Sequence, residues 1–541
     1  MIRPRKLALL LAGAGWLAGC AHVPPPPPPT PAEALAAQVS SLAHRAEALL
    51  RAQDELIWKG WTQGTAVDLG ATYAGNEDLF TVDAIHALER QRAAVTDPAA
   101  QRALDHLHAY FVGEYLAHAT EEISDAISEL DATLSFVSGG EQYRLSELER
   151  HLANEKSAVK RERLYTDAAP AVARLNQRIA RRDLQLTALL KALGQSDLSF
   201  GAELREVDLT RAAARADALL TRTQAPYLQV MDRLAHAELQ EPFSAVRPAD
   251  LPRLFRPEVV DAAFPKDQML PRIRHTLAGL GLDLTRIPAL HLDDAARPGK
   301  SPRGLTLRVS ATDVRVSISP GDGLHAQMSA LHEIGHALHD SFTQQPRFEL
   351  AKLGDAATAE GFAQLFEDLA EDPTWLAEET GLQGKRLDRY RSAAGARKLY
   401  LVRREAARLL FAVAQQNAPG QDPAQVYAPI LSRAIGMEVS RDEAARGLDD
   451  EGALFASTDP LRAWMFAAQL RQVLSSRFGP AWWKNEQAGA LLRTLWGYGT
   501  SRTPGELLRS VGAPGLDPGP LLKRLAEALH VALPAAGQTS K

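Results

Sequence analysis

His332 and His336 stand four residues apart in the run Leu331-His332-Glu333-Ile334-Gly335-His336-Ala337-Leu338-His339. The run is patterned as a helix, which turns about 100° per residue, so both imidazoles rise from one face. Two imidazoles so placed can grip one zinc ion from the same side. Glu333 falls close enough to the open coordination position to take a proton from a zinc-bound water. The chemistry these residue types and spacings predict is that of a zinc peptidase.

A zinc hydrolase keeps three protein ligands and a water, so a third ligand is required. Glu360 follows His336 by 24 residues, room for a helix end, a loop over 344–355 and the first turn of a second helix. Glu360, Gln364 and Glu367 recur at helical spacing and share one face. That order suits a ligand with an amide and a second carboxylate in support, since a metal-bound histidine gives its other N–H to such a group. His325 lies seven residues before His332, about 10 Å along a helix, too far to share the ion. His339 is nearer, but one helix does not easily place three residues on one metal, and a supporting or packing role is expected for it.

Elements must hold these groups. Leu305 to Val309 and Val314 to Ile318 alternate apolar and polar residues around Ala311-Thr312-Asp313, which predicts a hairpin before the histidine helix. The second of these strands is expected to align an extended peptide by its edge. Asp322 is the expected N-cap of the histidine helix. Residues 32–240 are dominated by Ala, Leu, Glu and Arg with apolar positions three and four apart. Examples are Asp125 to Leu134, Leu145 to Leu164 and Ala169 to Leu193, with breaks at Gly139-Gly140 and Gly194 to Asp197. They predict a helical N-terminal lobe, followed by a catalytic lobe over 241–535 and a frayed tail over 536–541. Strand content is small, and the fold class is mainly α.

The 541 residues carry 61 basic and 66 acidic side chains, a net charge of -5. With no basic excess, nucleic acid is not an expected partner. Cys20 is the single cysteine, so no intramolecular disulfide is possible. A basic start, a short apolar stretch from Leu7 and Leu17-Ala18-Gly19-Cys20 resemble the signal and lipobox of bacterial lipoproteins. The resemblance implies a signal peptide over 1–19, cleavage before Cys20 and a lipid on its thiol. Ala21 rather than aspartate follows it. By the sorting rule of Gram-negative lipoproteins, this implies the outer membrane, with the chain facing the periplasm. Pro24 to Pro29 would form a semi-rigid spacer within 20–31.

The motif His332-Glu333-Ile334-Gly335-His336-Ala337-Leu338-His339, with Glu360, Gln364 and Glu367, resembles the thimet oligopeptidase, neurolysin and oligoendopeptidase F family. Gly299-Lys300 and Gly304 resemble the glycine-lysine stretch before that family's strands, and the likeness runs over about 290 to 530. It implies a two-lobed helical ellipsoid with a deep channel and a small edge sheet beside the zinc helix. It also implies one zinc ion on His332, His336 and Glu360, with Glu333 as general base. Peptide would be the substrate, and a monomer is expected. The family supplies oxyanion donors, tyrosines and often a histidine, where this chain has Phe455, Arg462, Trp464 and Phe466. Arg462 and Tyr498 are the candidate transition-state donors in their place. A zinc-binding lipoprotein that holds peptides or proteins on the same scaffold, with weak or no turnover, is the alternative.

Overall fold

The structure, a computed structural model, describes residues 29–256, 260–418, 420–448 and 453–533. Cys20, most of the proline run and the 536–541 tail lie outside the described residues. Within them, twenty-two α-helices and two small sheets make the fold mainly α, as the sequence predicts. No described helix is long and apolar enough to cross a membrane.

The N-terminal half is helical with one exception. Thr30 caps the first helix, Pro31–Gln63, through a reciprocal bond with Glu33. Leu145 to Leu164 is not one helix: it divides into Leu148–Asn154 and Ala158–Asp167, the second started by Ser157 accepting from the Lys160 N–H. The break at Gly139-Gly140 is a hairpin turn between β1 (Ser135–Ser138) and β2 (Glu141–Arg144). Both glycines have positive φ, 61° and 89°, a backbone that tight hairpins require and that side chains resist.

The second sheet differs from the expected hairpin in a way that matters for the site. β3 (Leu290–Asp293), β4 (Leu305–Ser310) and β5 (Asp313–Ser317) are ordered β3-β5-β4. β5 is antiparallel to β4 and parallel to β3. Both edges of β5 are therefore taken, and among the described residues no strand pairs with the second edge of β4, the strand that holds the histidine helix through Thr306, although its Arg308 carbonyl accepts from Lys352. The expectation that the second strand of the hairpin would align a peptide is corrected on this ground.

Two large cores flank the site. One surrounds the histidine helix, Leu324–Phe342, whose Leu331, Ile334 and Leu338 are sealed against Phe362, Phe366 and Trp496. The other joins the helix Leu209–Glu238 to the long helix Gly384–Asn417 through Tyr227, Met231, Leu399 and Val402. This core crosses residue 240, so that position is not a boundary between cores. The helix Thr458–Phe478 serves both: Phe466 packs in the first core and Trp464 against the second.

Candidate metal centre

The histidine helix starts at Gly323, whose φ of 96° suits glycine, and its Leu324 N–H is accepted by Asp261. Asp322 is not the cap. Its carboxylate accepts from the Lys266 backbone N–H at 2.8 Å instead. Asp261 lies 63 residues earlier, out of reach of any local sequence signal.

A second helix, Ala356–Glu367, crosses the first at close range. A Cβ on Gly335 would lie 2.6 Å from the Ala363 Cα, so only glycine lets the two backbones approach this nearly. The approach brings Glu360 over the histidines. The Nε2 atoms of His332 and His336 are 3.2 Å apart, and Glu360 oxygens lie 3.6 and 3.5 Å from them. Ligands 2.0–2.1 Å from a tetrahedral ion stand about 3.3 Å apart; the two imidazole nitrogens are at that spacing, each has a different Glu360 oxygen near it, and one ligand atom from each of the three side chains lies within 4.8 Å of the others. Among the described residues these three side chains form a group that could hold a metal ion; His325 is not part of it. Glu360 is 46% exposed, which leaves the centre open to an incoming molecule.

Glu367 gives the first histidine its direction. His332 Nδ1 lies 2.9 Å from the Glu367 carboxylate, so Nδ1 carries the proton and Nε2 keeps its lone pair for a metal. Burial lowers the basicity of His332, but the bond and charge of Glu367, with the charges of Glu360 and Glu333, outweigh it and raise its pKa. Burial raises the Glu360 carboxyl, and the His336 bond and charge pull it below the ordinary value.

Glu333 is held by β4. Thr306 donates to its carboxylate at 2.7 Å, with the Glu333 carbonyl 3.1 Å from the same hydroxyl. A Cβ on Gly304 would fall 2.4 Å from the Glu333 Cγ, so the start of the strand lies directly on this side chain. Sequence reasoning did not find Thr306, because a threonine in an alternating strand carries no signal of a contact 27 residues away.

Gln364 and His339 do not touch the three ligand atoms. Gln364 donates to Asp368 at 2.7 Å and accepts from the Trp464 indole N–H at 3.1 Å. That indole proton is therefore engaged. His339 is wholly buried, stacked 5.0 Å from Phe362, with Nε2 3.2 Å from the Gly499 carbonyl. A carbonyl only accepts, so Nε2 carries the proton; the role is packing.

Burial pushes the His339 pKa below the ordinary 6.5, against the pull of Asp340. The unfolded chain then binds this proton more readily than the folded one. The stability contributed is present above pH 6.5 and is lost as pH falls below it; each unit of displacement is worth about 1.4 kcal/mol. With metal removed, the Tm is expected to drop between pH 7 and 5. His339→Gln, which keeps a donor for Gly499, should flatten that slope.

The candidate donors lie elsewhere in the network. Arg462 is buried and forms a two-pronged ion pair with Asp355, one bond at 2.8 Å. Asp355 is the N-cap of the Glu360 helix, accepting from the Ala357 N–H. Arg462 is thus the carboxylate-paired arginine of that helix rather than a guanidinium facing a substrate. Phe455 is buried with a φ of 65°, in the second core. Tyr498 is half-buried beneath the Arg502 guanidinium, 3.6 Å from its ring, in the turn whose Gly499 meets His339.

No protein-family model matches this chain, and no curated protein matches it.

Proposed function

We propose that the chain is a zinc metallopeptidase that hydrolyses short peptides, of the kind its motifs resemble: thimet oligopeptidase, neurolysin and oligoendopeptidase F. The observation that carries the reading is the convergence of His332, His336 and Glu360 beside Glu333. Two imidazoles and one carboxylate are the donor set of a catalytic zinc, which keeps one position open. A purely structural site would be closed by a fourth side chain.

His332, His336 and Glu360 would hold the ion, with Glu367 fixing the first imidazole. Bound zinc supplies a Lewis acid for the scissile carbonyl. Glu333 takes the proton of the attacking water, whose oxygen bonds to the carbonyl carbon. As the carbon–nitrogen bond breaks, Glu333 passes that proton to the leaving amine. Thr306 keeps the carboxylate oriented, and the second edge of β4 offers backbone groups to an extended peptide. Residues 1–20 support a lipid anchor in the bacterial envelope, with the peptidase facing the periplasm.

A second reading has a specific observation in its favour. The Trp464 N–H is bonded to Gln364 and Arg462 to Asp355, so of the candidates for the family's donors only Tyr498 is left. On that reading the chain binds zinc and peptide with little turnover.

Purified protein is expected to hold one zinc per chain by elemental analysis and to cleave members of a peptide library by mass spectrometry. Chelation should remove both and zinc should restore both. Zinc without any cleavage would favour the second reading; no zinc would sink both.

A further inference from the structure

The first helix, Pro31–Gln63, belongs to the N-terminal half, yet it ends on the loop that leads into β4. Its cap Gly64 meets Gly299 backbone to backbone. A Cβ on Gly64 would lie 2.6 Å from the Gly299 carbonyl oxygen, and one on Gly299 would lie 2.6 Å from that of Gln63. Polar bonds fasten the same contact. The Ser301 N–H donates to the Trp61 carbonyl at 2.8 Å, and Arg297 Nε donates to the Thr62 carbonyl at 2.9 Å. The Trp61 indole N–H donates to the Arg303 carbonyl at 3.0 Å, and the Arg303 guanidinium lies over the Trp61 ring, 5.8 Å from its centroid. The far end of β4 is tied to the same helix. Asp54 is buried and holds the Lys352 ammonium, which donates to the Arg308 carbonyl at 3.2 Å.

The Arg303 carbonyl and the Gly304 nitrogen and Cα share one peptide plane, so fixing the carbonyl fixes where that Cα stands. Gly304 bears directly on Glu333. A Cβ there would fall 2.4 Å from the Glu333 Cγ and 2.9 Å from a carboxylate oxygen. Two residues on, the Thr306 hydroxyl donates to the same carboxylate at 2.7 Å. Trp61 therefore stands one peptide plane from the backbone that confines Glu333, although 242 residues separate it from Arg303. The confinement matters because a base acts only within hydrogen-bond reach of the proton it takes, and misplacement by about 1 Å can cost about 10²-fold in rate.

We propose that Trp61 is a positioning residue for Glu333: its N–H holds the peptide between Arg303 and Gly304, and that peptide with Thr306 holds the carboxylate beside the metal group. The word base rests on the peptidase reading; the hold on β4 does not.

Zinc-loaded parent, Trp61→Phe, Thr306→Val and the double variant would be compared with one fluorogenic peptide and by hydrogen–deuterium exchange. Trp61→Phe keeps an aromatic ring and loses the N–H. It is expected to lower kcat about tenfold at unchanged KM and zinc content. Exchange over 303–310 should become about tenfold faster, with the histidine helix unchanged. Thr306→Val loosens the same carboxylate, so the two losses in kcat should combine to less than their product. Trp61→His, which keeps a ring N–H, should recover part of the loss. A contact that serves stability alone would lower the Tm and leave kcat in place. Unchanged kcat in Trp61→Phe overturns the proposal, and so do losses that multiply in the double variant. If the parent cleaves nothing, the peptidase reading falls and exchange decides. Faster exchange over 303–310 in Trp61→Phe then supports the hold on β4, and unchanged exchange overturns it.

Discussion

Glu333→Gln is expected to keep one zinc per chain and to lose hydrolysis of short peptides by at least a thousandfold. The substitution changes one oxygen for an NH2 group and keeps the shape that β4 packs against, where Gly304 leaves no room to spare. Thr306 donates to Glu333, and its hydroxyl can keep a bond to the remaining amide oxygen. The three ligand atoms belong to other residues, so the metal spacing is preserved. What is lost is a base that can take the proton of water. A positioned general base contributes about 10²–10⁴-fold, and more where the same group also returns the proton. Elemental analysis and cleavage of one good library peptide, parent against variant, check it. Equal turnover would mean that Glu333 is not the base. Loss of zinc together with activity would mean that the carboxylate is needed for the metal group itself.

The half of the site that was legible in the sequence is the half built from local periodicity. His332, Glu333 and His336 occupy one helical stripe, and Glu360 with Glu367 occupy another, so spacing alone assigns their faces. The contact between the stripes was less visible, and it rests on Gly335, the residue that lets the helices touch. What the sequence did not show is set by pairs far apart in the chain. Thr306 reaches Glu333 across 27 residues, and Asp261 caps the histidine helix from 63 residues away. β3 was missed because four residues pair only with a strand that follows them through a long connection. Its presence takes the second edge of β5, and among the described residues the second edge of β4 is left without a strand. Gln364 was on the right face but bonds Trp464 and Asp368, because a side chain's face does not fix its partner when a third helix packs across it.

Arg462→Met is expected to destabilise the chain by about 3–5 kcal/mol, the cost of removing one partner of a buried ion pair. Asp355 would be left wholly buried with one backbone donor, at the N-terminus of the helix that carries Glu360. Burial already raises the Asp355 pKa against the pull of Arg462, so without that arginine the carboxyl would be driven toward its neutral form. The neutral acid is a poorer cap, and the first turn of the Glu360 helix would loosen. The expected signature is a lower Tm with weaker zinc retention. Arg462→Met would then lose activity whether or not the arginine ever meets a substrate, so the single variant cannot assign its role. The pair Asp355→Asn with Arg462→Met can. Asparagine still accepts from the Ala357 N–H and carries no charge, so much of the lost stability should return. If Arg462 serves only the cap, zinc content and kcat recover with the Tm. If it stabilises negative charge in the transition state, the Tm and zinc recover while kcat stays about 10²–10³-fold down, the usual cost of a lost oxyanion donor. The bonds to Asp355 argue for the first outcome. Recovery of kcat would leave Tyr498 as the next candidate donor to test.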